Sequence, residues 1–469
     1  MVLHFQSLGA IKLMSIDLSK PMILMCGPNG TGKTYASYAL YAFLSSSNAS
    51  SCLDTNEGKI PLVQSISSFV NDSSKESGVA SFEVTKQDIE IWLSNFCACI
   101  KSNIGDVFGV GDDLCKKLFP KFAISCDFTD EDYVNTVNTP LSLKFALGDK
   151  VLMTITKKVN SKIVEVESSV RSKDNALFQL NMISMLNRAM RTLAFGDNGT
   201  ARMLTVERNS IYTFKTELSL SRNELIDRIQ QGTSKLDFMD ILSETSRRYP
   251  LAIKESLRIA NDLETVQKRT SYFAPIAQDI EQNLLNGEVS MTKTGDVEFH
   301  ASSMPKTRKL PFHLSSSIVK TMASFVVYLR HLARKGDTLI IDEPEMNFHP
   351  DVQVILARIF AKLANNGLKV VISTHSDYII REMNNMIMAG TLWDKGVTGN
   401  ALQEYSSDYL IHGSNLSVLF LHAMSKGVVS KELPILDVGF EVSTIDETIM
   451  EQSSRAERLY ELILDKREG

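Results

Sequence analysis

The residues Gly27-Pro28-Asn29-Gly30-Thr31-Gly32-Lys33-Thr34 combine types and spacing suited to holding phosphate. Glycine has no Cβ, so successive backbone N–H groups can turn inward around an anion. Lys33 can bring an ammonium to the outer phosphates of a nucleotide, and the Thr34 hydroxyl can ligate Mg²⁺. The preceding run, Met22-Ile23-Leu24-Met25-Cys26, is apolar without alternation, as in a strand buried on both faces. Tyr35 to Leu44 follows as an apolar helix, whose positive end adds to the loop's attraction for anions. Strand, glycine-rich loop and helix in that order predict a phosphate-binding loop rather than a chance turn.

A second constellation lies far along the chain. The apolar strand Thr338 to Ile341 ends in Asp342-Glu343-Pro344-Glu345. In an open α/β sheet, the ends of the strands are where ligands bind. Asp342 is expected to share the magnesium with Thr34, and Glu343 to polarise a water against the terminal phosphate. A third apolar strand, Lys369 to Ser373, ends in Thr374-His375-Ser376. A lone histidine has many structural uses. One strand after the acid pair, His375 is expected to hydrogen-bond the terminal phosphate and the attacking water.

These residues need a sheet to carry them, and the alternation of strand and helix implies a largely parallel one with helices on its faces. Leu141 to Val170 alternates apolar and polar residues and predicts an antiparallel set of strands. Ser81 to Ile100 reads as helix, Ala201 to Phe214 as strand, and Arg222 to Asn286 as mostly helical with breaks near Pro250 and Pro275. Those prolines exclude a long coiled-coil arm. A hairpin is expected at Val289-Met291 and Val297-Phe299, and Leu310 to Gly336 runs from a loop into a long apolar helix. The expected organisation is an α/β fold in three parts. Residues 1–218 form an ATPase lobe with the phosphate loop and an antiparallel β subdomain, 219–287 a helical insertion, and 288–469 a second ATPase lobe.

Composition fits this reading. Of 469 residues, 43% are hydrophobic and 22% charged, the balance of a globular protein. A net charge of −5 gives no global attraction to nucleic acid or acidic lipid. No apolar stretch approaches the ~20 residues that span a bilayer, and the N-terminus lacks a signal-peptide pattern, so no membrane partner and a cytoplasmic location are expected. Six cysteines show no disulfide framework, and Cys97 and Cys99 lack the further ligands of a zinc site. Reduced thiols are expected.

Together the three motifs resemble the ABC-type ATPases, within the branch that includes OLD-like, RecF-like and SMC-type proteins. Gly27 to Thr34 looks like that branch's Walker A, Asp342-Glu343-Pro344-Glu345 with Asn347-Phe348-His349-Pro350 like its Walker B and D-loop, and Ser373 to Ser376 like its H-loop. The resemblance implies ATP and Mg²⁺ as cofactors, hydrolysis of the ATP, and self-association of two heads around two ATP molecules. The signature segment of each head would then meet the ATP of the other. Here that segment is Ser315-Ser316-Ser317, with no glycine behind the serines, unlike transporters; serines there are also simply good helix caps. Gln64 is a Q-loop candidate only by its order in the chain.

Several phrases further resemble the ATPase components of bacterial anti-phage systems, the PARIS type among them. They are Val206-Glu207-Arg208-Asn209-Ser210-Ile211, Glu217-Leu218 and Thr374 to Ile380. That resemblance implies a sensor or scaffold that answers a phage-derived trigger and controls a separate effector, often a Toprim nuclease. No nuclease motif follows His375, and Asp130-Glu131-Asp132 is expected to be a solvated acidic turn. The alternative is a DNA-maintenance ATPase of the RecF or SMC kind, which leaves DNA open as a ligand. The only small basic cluster is Lys306, Arg308 and Lys309.

Overall fold

The computed structural model describes residues 1–45, 60–71, 78–169, 176–196, 200–215, 249–305, 308–397, 399–425 and 427–468. Ser46 to Ser51, residues 219–248 of the expected insertion, Glu217-Leu218 and Lys306 lie outside them. The strands in chain order are β1 Val2–Leu8, β2 Ile11–Asp17, β3 Met22–Cys26, β4 Gly78–Glu83, β5 Ala123–Asp127, β6 Leu141–Leu147, β7 Lys150–Lys157 and β8 Ile163–Ser168. They continue as β9 Ala201–Leu204, β10 Gly287–Met291, β11 Val297–Ala301, β12 Leu310–Pro311, β13 Thr338–Asp342, β14 Lys369–Thr374, β15 Leu416–Met424 and β16 Gly427–Glu432.

Nine of these strands form one mixed sheet in the order β5-β1-β2-β16-β15-β3-β14-β13-β9. From β15 to β9 every pairing is parallel. The β1–β2 and β15–β16 hairpins and the pairing of β5 on β1 make the other half mostly antiparallel. Both faces are covered, which is why β3, β13 and β14 read as unbroken apolar runs. In β3, Ile23 and Met25 enter one core, and Met22, Leu24 and Cys26 enter the other. The first core packs the helices Lys33–Leu44, Lys86–Ser102 and Ala176–Phe195, with Trp92 stacked on Phe96. The second packs Ser317–His331, Pro350–Asn365 and Asp377–Asp394. This is the expected α/β P-loop ATPase fold.

The alternating segment forms an antiparallel sheet in the order β4-β8-β7-β6. Its fourth strand, β4, takes in Ser81 to Glu83, and the helix expected from Ser81 begins only at Lys86, behind a capping box between Thr85 and Asp88. A second departure lies at Ala201 to Phe214, where only β9 is strand and a 3₁₀ turn, Val206–Asn209, follows. Asp130-Glu131-Asp132 is not a loop. It opens the helix Asp130–Asn138, where Asp132 completes a capping box with Thr129. Acids there meet the positive helix end, and Asp130 also pairs with Lys86 at 2.7 Å. The expected hairpin is β10–β11, and its turn places Gly295 at φ 80.

Among the described residues no helix is long and apolar enough to cross a membrane, and no cluster of three or more His, Cys, Asp or Glu could hold a metal. Five of the cysteines are free thiols, and Cys52 lies outside the described residues.

Candidate functional site

Three parallel strands end side by side. Thr374 of β14 is level with Cys26 of β3, and Asp342 of β13 is level with Ser373 of β14. The loop Gly27 to Gly32, the pair Asp342-Glu343 and the residue His375 therefore leave the sheet at one edge. β14 runs between the other two, so His375 emerges between the phosphate loop and the acid pair.

The loop depends on glycine at defined places. Gly27 has φ 142, and a Cβ there would sit 2.2 Å from the carbonyl oxygen of Leu421 on β15. Gly32 has φ 91 and stands directly before the helix Lys33–Leu44, where a Cβ would meet Ile11 at 2.9 Å. Pro28, Asn29 and Gly30 are exposed, whereas Thr31 and Lys33 are buried. The Lys33 ammonium donates to the carbonyls of Gly27 at 2.8 Å and Pro28 at 3.0 Å. Burial pulls its pKa below the usual lysine range, and the carboxylates of Glu343, Glu345 and Asp342 pull it back up. Thr31 donates its hydroxyl to Pro28 at 2.8 Å and closes the loop from the other side.

Asp342 is fully buried at the end of β13. Its Oδ1 accepts a short hydrogen bond from the Ser373 hydroxyl, and the Thr34 hydroxyl is close enough to stabilise the carboxylate's charge. Burial pushes the carboxyl above its usual range, those hydroxyls act the other way, and the charge on Glu343 pushes it up further. Oδ2 has no hydrogen-bond partner. A buried carboxylate oxygen without a donor, beside a threonine hydroxyl at a helix start, fits a divalent cation. The donor set is all oxygen, which suits magnesium rather than a softer metal.

Glu343 sits in the left-handed region at φ 46, a conformation that costs a side-chain-bearing residue about 1–3 kcal/mol. Neighbouring groups hold it there. Its N–H donates to the Ser373 carbonyl at 3.0 Å, and its own carbonyl accepts from Arg208 at 2.7 Å. Arg208 is only 3% exposed and also donates to the carbonyls of Asp342 at 2.7 Å and Thr205 at 3.0 Å. Burial pulls its pKa down to about 10, which leaves the guanidinium charged at neutral pH. The sequence placed Arg208 in a recognisable phrase but gave no sign of this brace, because the two carbonyls it holds after β13 lie 134 and 135 residues away.

His375 is half exposed, with a side-chain exposure of 43%. It faces a cleft of about 400 Å³ lined by Glu343, Glu345, Asn347, Gln353 and Tyr378 among others. Ser315 is buried with its hydroxyl unpartnered, while Ser316 and Ser317 are exposed. Ser316 occupies the cap position of the helix Ser317–His331 without making a side-chain capping bond. Capping therefore does not account for these serines. Gln64 lies exposed on the helix Pro61–Asn71.

No curated protein matches the chain. Among solved structures, an SMC head bound to the C-winged helix domain of ScpA aligns with 10% identity, covering 92% of this chain and 98% of that one, at a TM-score of 0.34. The SMC head domain from Thermotoga maritima aligns with 8% identity, covering 92% and 98%, at 0.30. A Pyrococcus furiosus SMC head with an extended coiled coil, bound to the C-terminal domain of ScpA, gives 10%, 97%, 98% and 0.33. Scores this low leave the assignment to the family match. A family model described as AAA ATPase domain matches residues 5–380, most of the chain. The chain belongs to the AAA ATPase domain family.

Proposed function

We propose that the protein is an ATP-hydrolysing, ABC-type head that acts as the sensor or scaffold subunit of a bacterial anti-phage system and controls a separate effector. The observation that carries the ATPase reading is the meeting of three strand ends, which gathers the loop Gly27 to Thr34, Asp342, Glu343 and His375 at one edge of the sheet. Loop amides and Lys33 hold the phosphates, and Thr34 and Asp342 hold the metal. Held there, magnesium would supply positive charge against that of the phosphates. Glu343 orients and deprotonates the attacking water, and His375 steadies the terminal phosphate. Ser315, Ser316 and Ser317 complete the site of a second head, across a dimer that buries both nucleotides. We take residues 1–218 and 288–469 as the two halves of the head and 219–287 as an insertion between them.

The defence role rests on the phrases around Val206 to Ile211 and Thr374 to Ile380. It calls for a phage-derived trigger, a partner such as a Toprim nuclease, and a cytoplasmic location. Two experiments test the proposal. Phosphate release should depend on magnesium and vanish on its chelation. A strain lacking the protein should be more sensitive to part of a broad phage panel. Unchanged sensitivity across the panel, with salt-dependent DNA binding by the purified protein, would replace defence by DNA maintenance.

A further inference from the structure

Glu345 is an acid that the mechanism above does not use. Its side chain is only 7% exposed, and among the described residues the one basic side chain with a nitrogen within 4.0 Å is His375. A buried carboxylate is costly unless neighbouring donors satisfy it. Here Oε2 has no hydrogen-bond partner, and all the recorded contacts fall on Oε1. That oxygen accepts from the Thr374 hydroxyl at 2.8 Å and from the backbone N–H of His375 at 2.9 Å.

The contacts pin the chain on both sides of His375. The N–H of Ser376 donates back to the Thr374 hydroxyl at 3.0 Å, and the Ser376 hydroxyl donates to Gln353 at 2.5 Å. Ser376 also caps the helix Asp377–Asp394 through the N–H of Ile379. With the backbone fixed, the ring keeps little freedom beyond its own rotation. Its Nδ1 lies 3.4 Å from the same Oε1. The two atoms are close but not aligned as a hydrogen bond, and catalytic contacts are often long or poorly aligned before substrate binds.

We propose that Glu345 is the positioning residue for His375: it anchors the end of β14 and holds the imidazole with a proton on Nδ1, leaving Nε2 for the cleft. A carboxylate beside one ring nitrogen selects the tautomer protonated there. Nε2 then accepts from water when the ring is neutral and donates to phosphate when it is protonated. This inference rests on the proposed role of His375.

The test uses the full chain labelled with ¹⁵N-histidine, in which His375 is assigned by the signals lost in His375→Ala. Wild type should show His375 mainly as the Nδ1–H tautomer in its neutral form. Glu345→Ala should shift it toward Nε2–H and lower kcat about tenfold or more, with KM for ATP within about twofold. Glu345→Gln keeps the shape and one acceptor, and should recover part of both. In the His375→Ala background neither Glu345 substitution should lower kcat further. A wild-type tautomer in both Glu345 variants would overturn the inference, as would an equal loss of kcat with and without His375. If His375→Ala itself hydrolyses ATP normally, the role of the histidine fails, while the tautomer still decides whether Glu345 holds the ring. Should Glu345→Ala fail to fold, the cycle with Glu345→Gln decides alone.

Discussion

Lys33 spends two of its donors on the carbonyls of Gly27 and Pro28, so gripping a polyphosphate means exchanging neutral acceptors for charged ones. That exchange is favourable because charge-assisted hydrogen bonds are roughly twice as strong as neutral ones. Lys33→Ala should lower ATP hydrolysis by at least about a hundredfold, the loss typical of removing a donor to developing charge. Circular dichroism should stay unchanged, since no packed apolar group is lost. Glu343→Gln should separate binding from turnover. The amide keeps the size of the carboxylate but cannot take a proton from water, so hydrolysis should drop at least about a hundredfold. ATP affinity, read by equilibrium binding, should stay within a few-fold. Turnover close to wild type would remove Glu343 from the reaction.

At the scale of elements, the site is a matter of strand ends and of what braces them. Gly27 leaves no room for a Cβ beside Leu421, so Gly27→Ala must displace either the loop or β15. Thermal melting should fall by several degrees and ATP binding should weaken together with it. Arg208 ties the turn after β13 to the segment after β9, its Nη1 and Nη2 donating between them to three backbone carbonyls. A lysine has the charge but not the planar fork. Arg208→Lys should therefore lower kcat about tenfold while changing ATP affinity little, because the phosphate loop does not depend on it. Equal losses in both would mean that the brace supports the whole edge. The legibility of the site follows the same division. β3, β13 and β14 could be read because strands buried on both faces leave unbroken apolar runs, and because each ends in residues with evident chemistry. β4 was hidden because every second residue is exposed, so it leaves no unbroken apolar run before the helix that follows, and the 3₁₀ turn after β9 by apolar residues that suit a strand equally well. The roles of Arg208 and Glu345 were not legible. Each depends on a side chain meeting residues brought close only by the fold.

At the scale of the whole molecule, the proposed pairing of heads implies that one head alone would leave its nucleotide open on one side. The serines that would close it lie at the start of the helix Ser317–His331, where Ser316 and Ser317 are exposed beside an exposed Leu314. Glu343→Gln loaded with ATP and magnesium should thus run as a dimer in light scattering and return to a monomer without nucleotide. Ser316→Glu places a carboxylate where the partner's phosphates would lie. It should abolish that dimer, and with it hydrolysis, without weakening ATP binding by the single head. Dimers that persist in the serine variant would move the interface elsewhere.

The sheet order has a consequence for how the protein is made. β3, which carries the phosphate loop, pairs only with β14 and β15, and the Cys26 thiol reaches a carbonyl 393 residues further on. At ribosomal rates of roughly 5–20 residues per second, that distance takes on the order of 20–80 s to synthesise. Until β14 is made late in that time, an unbroken apolar strand has no neighbour to pair with, the condition in which nascent chains cross-associate. The nucleotide site therefore cannot become whole until β13 and β14 have been made, and Met22 to Cys26 must be shielded until β14 and then β15 leave the ribosome.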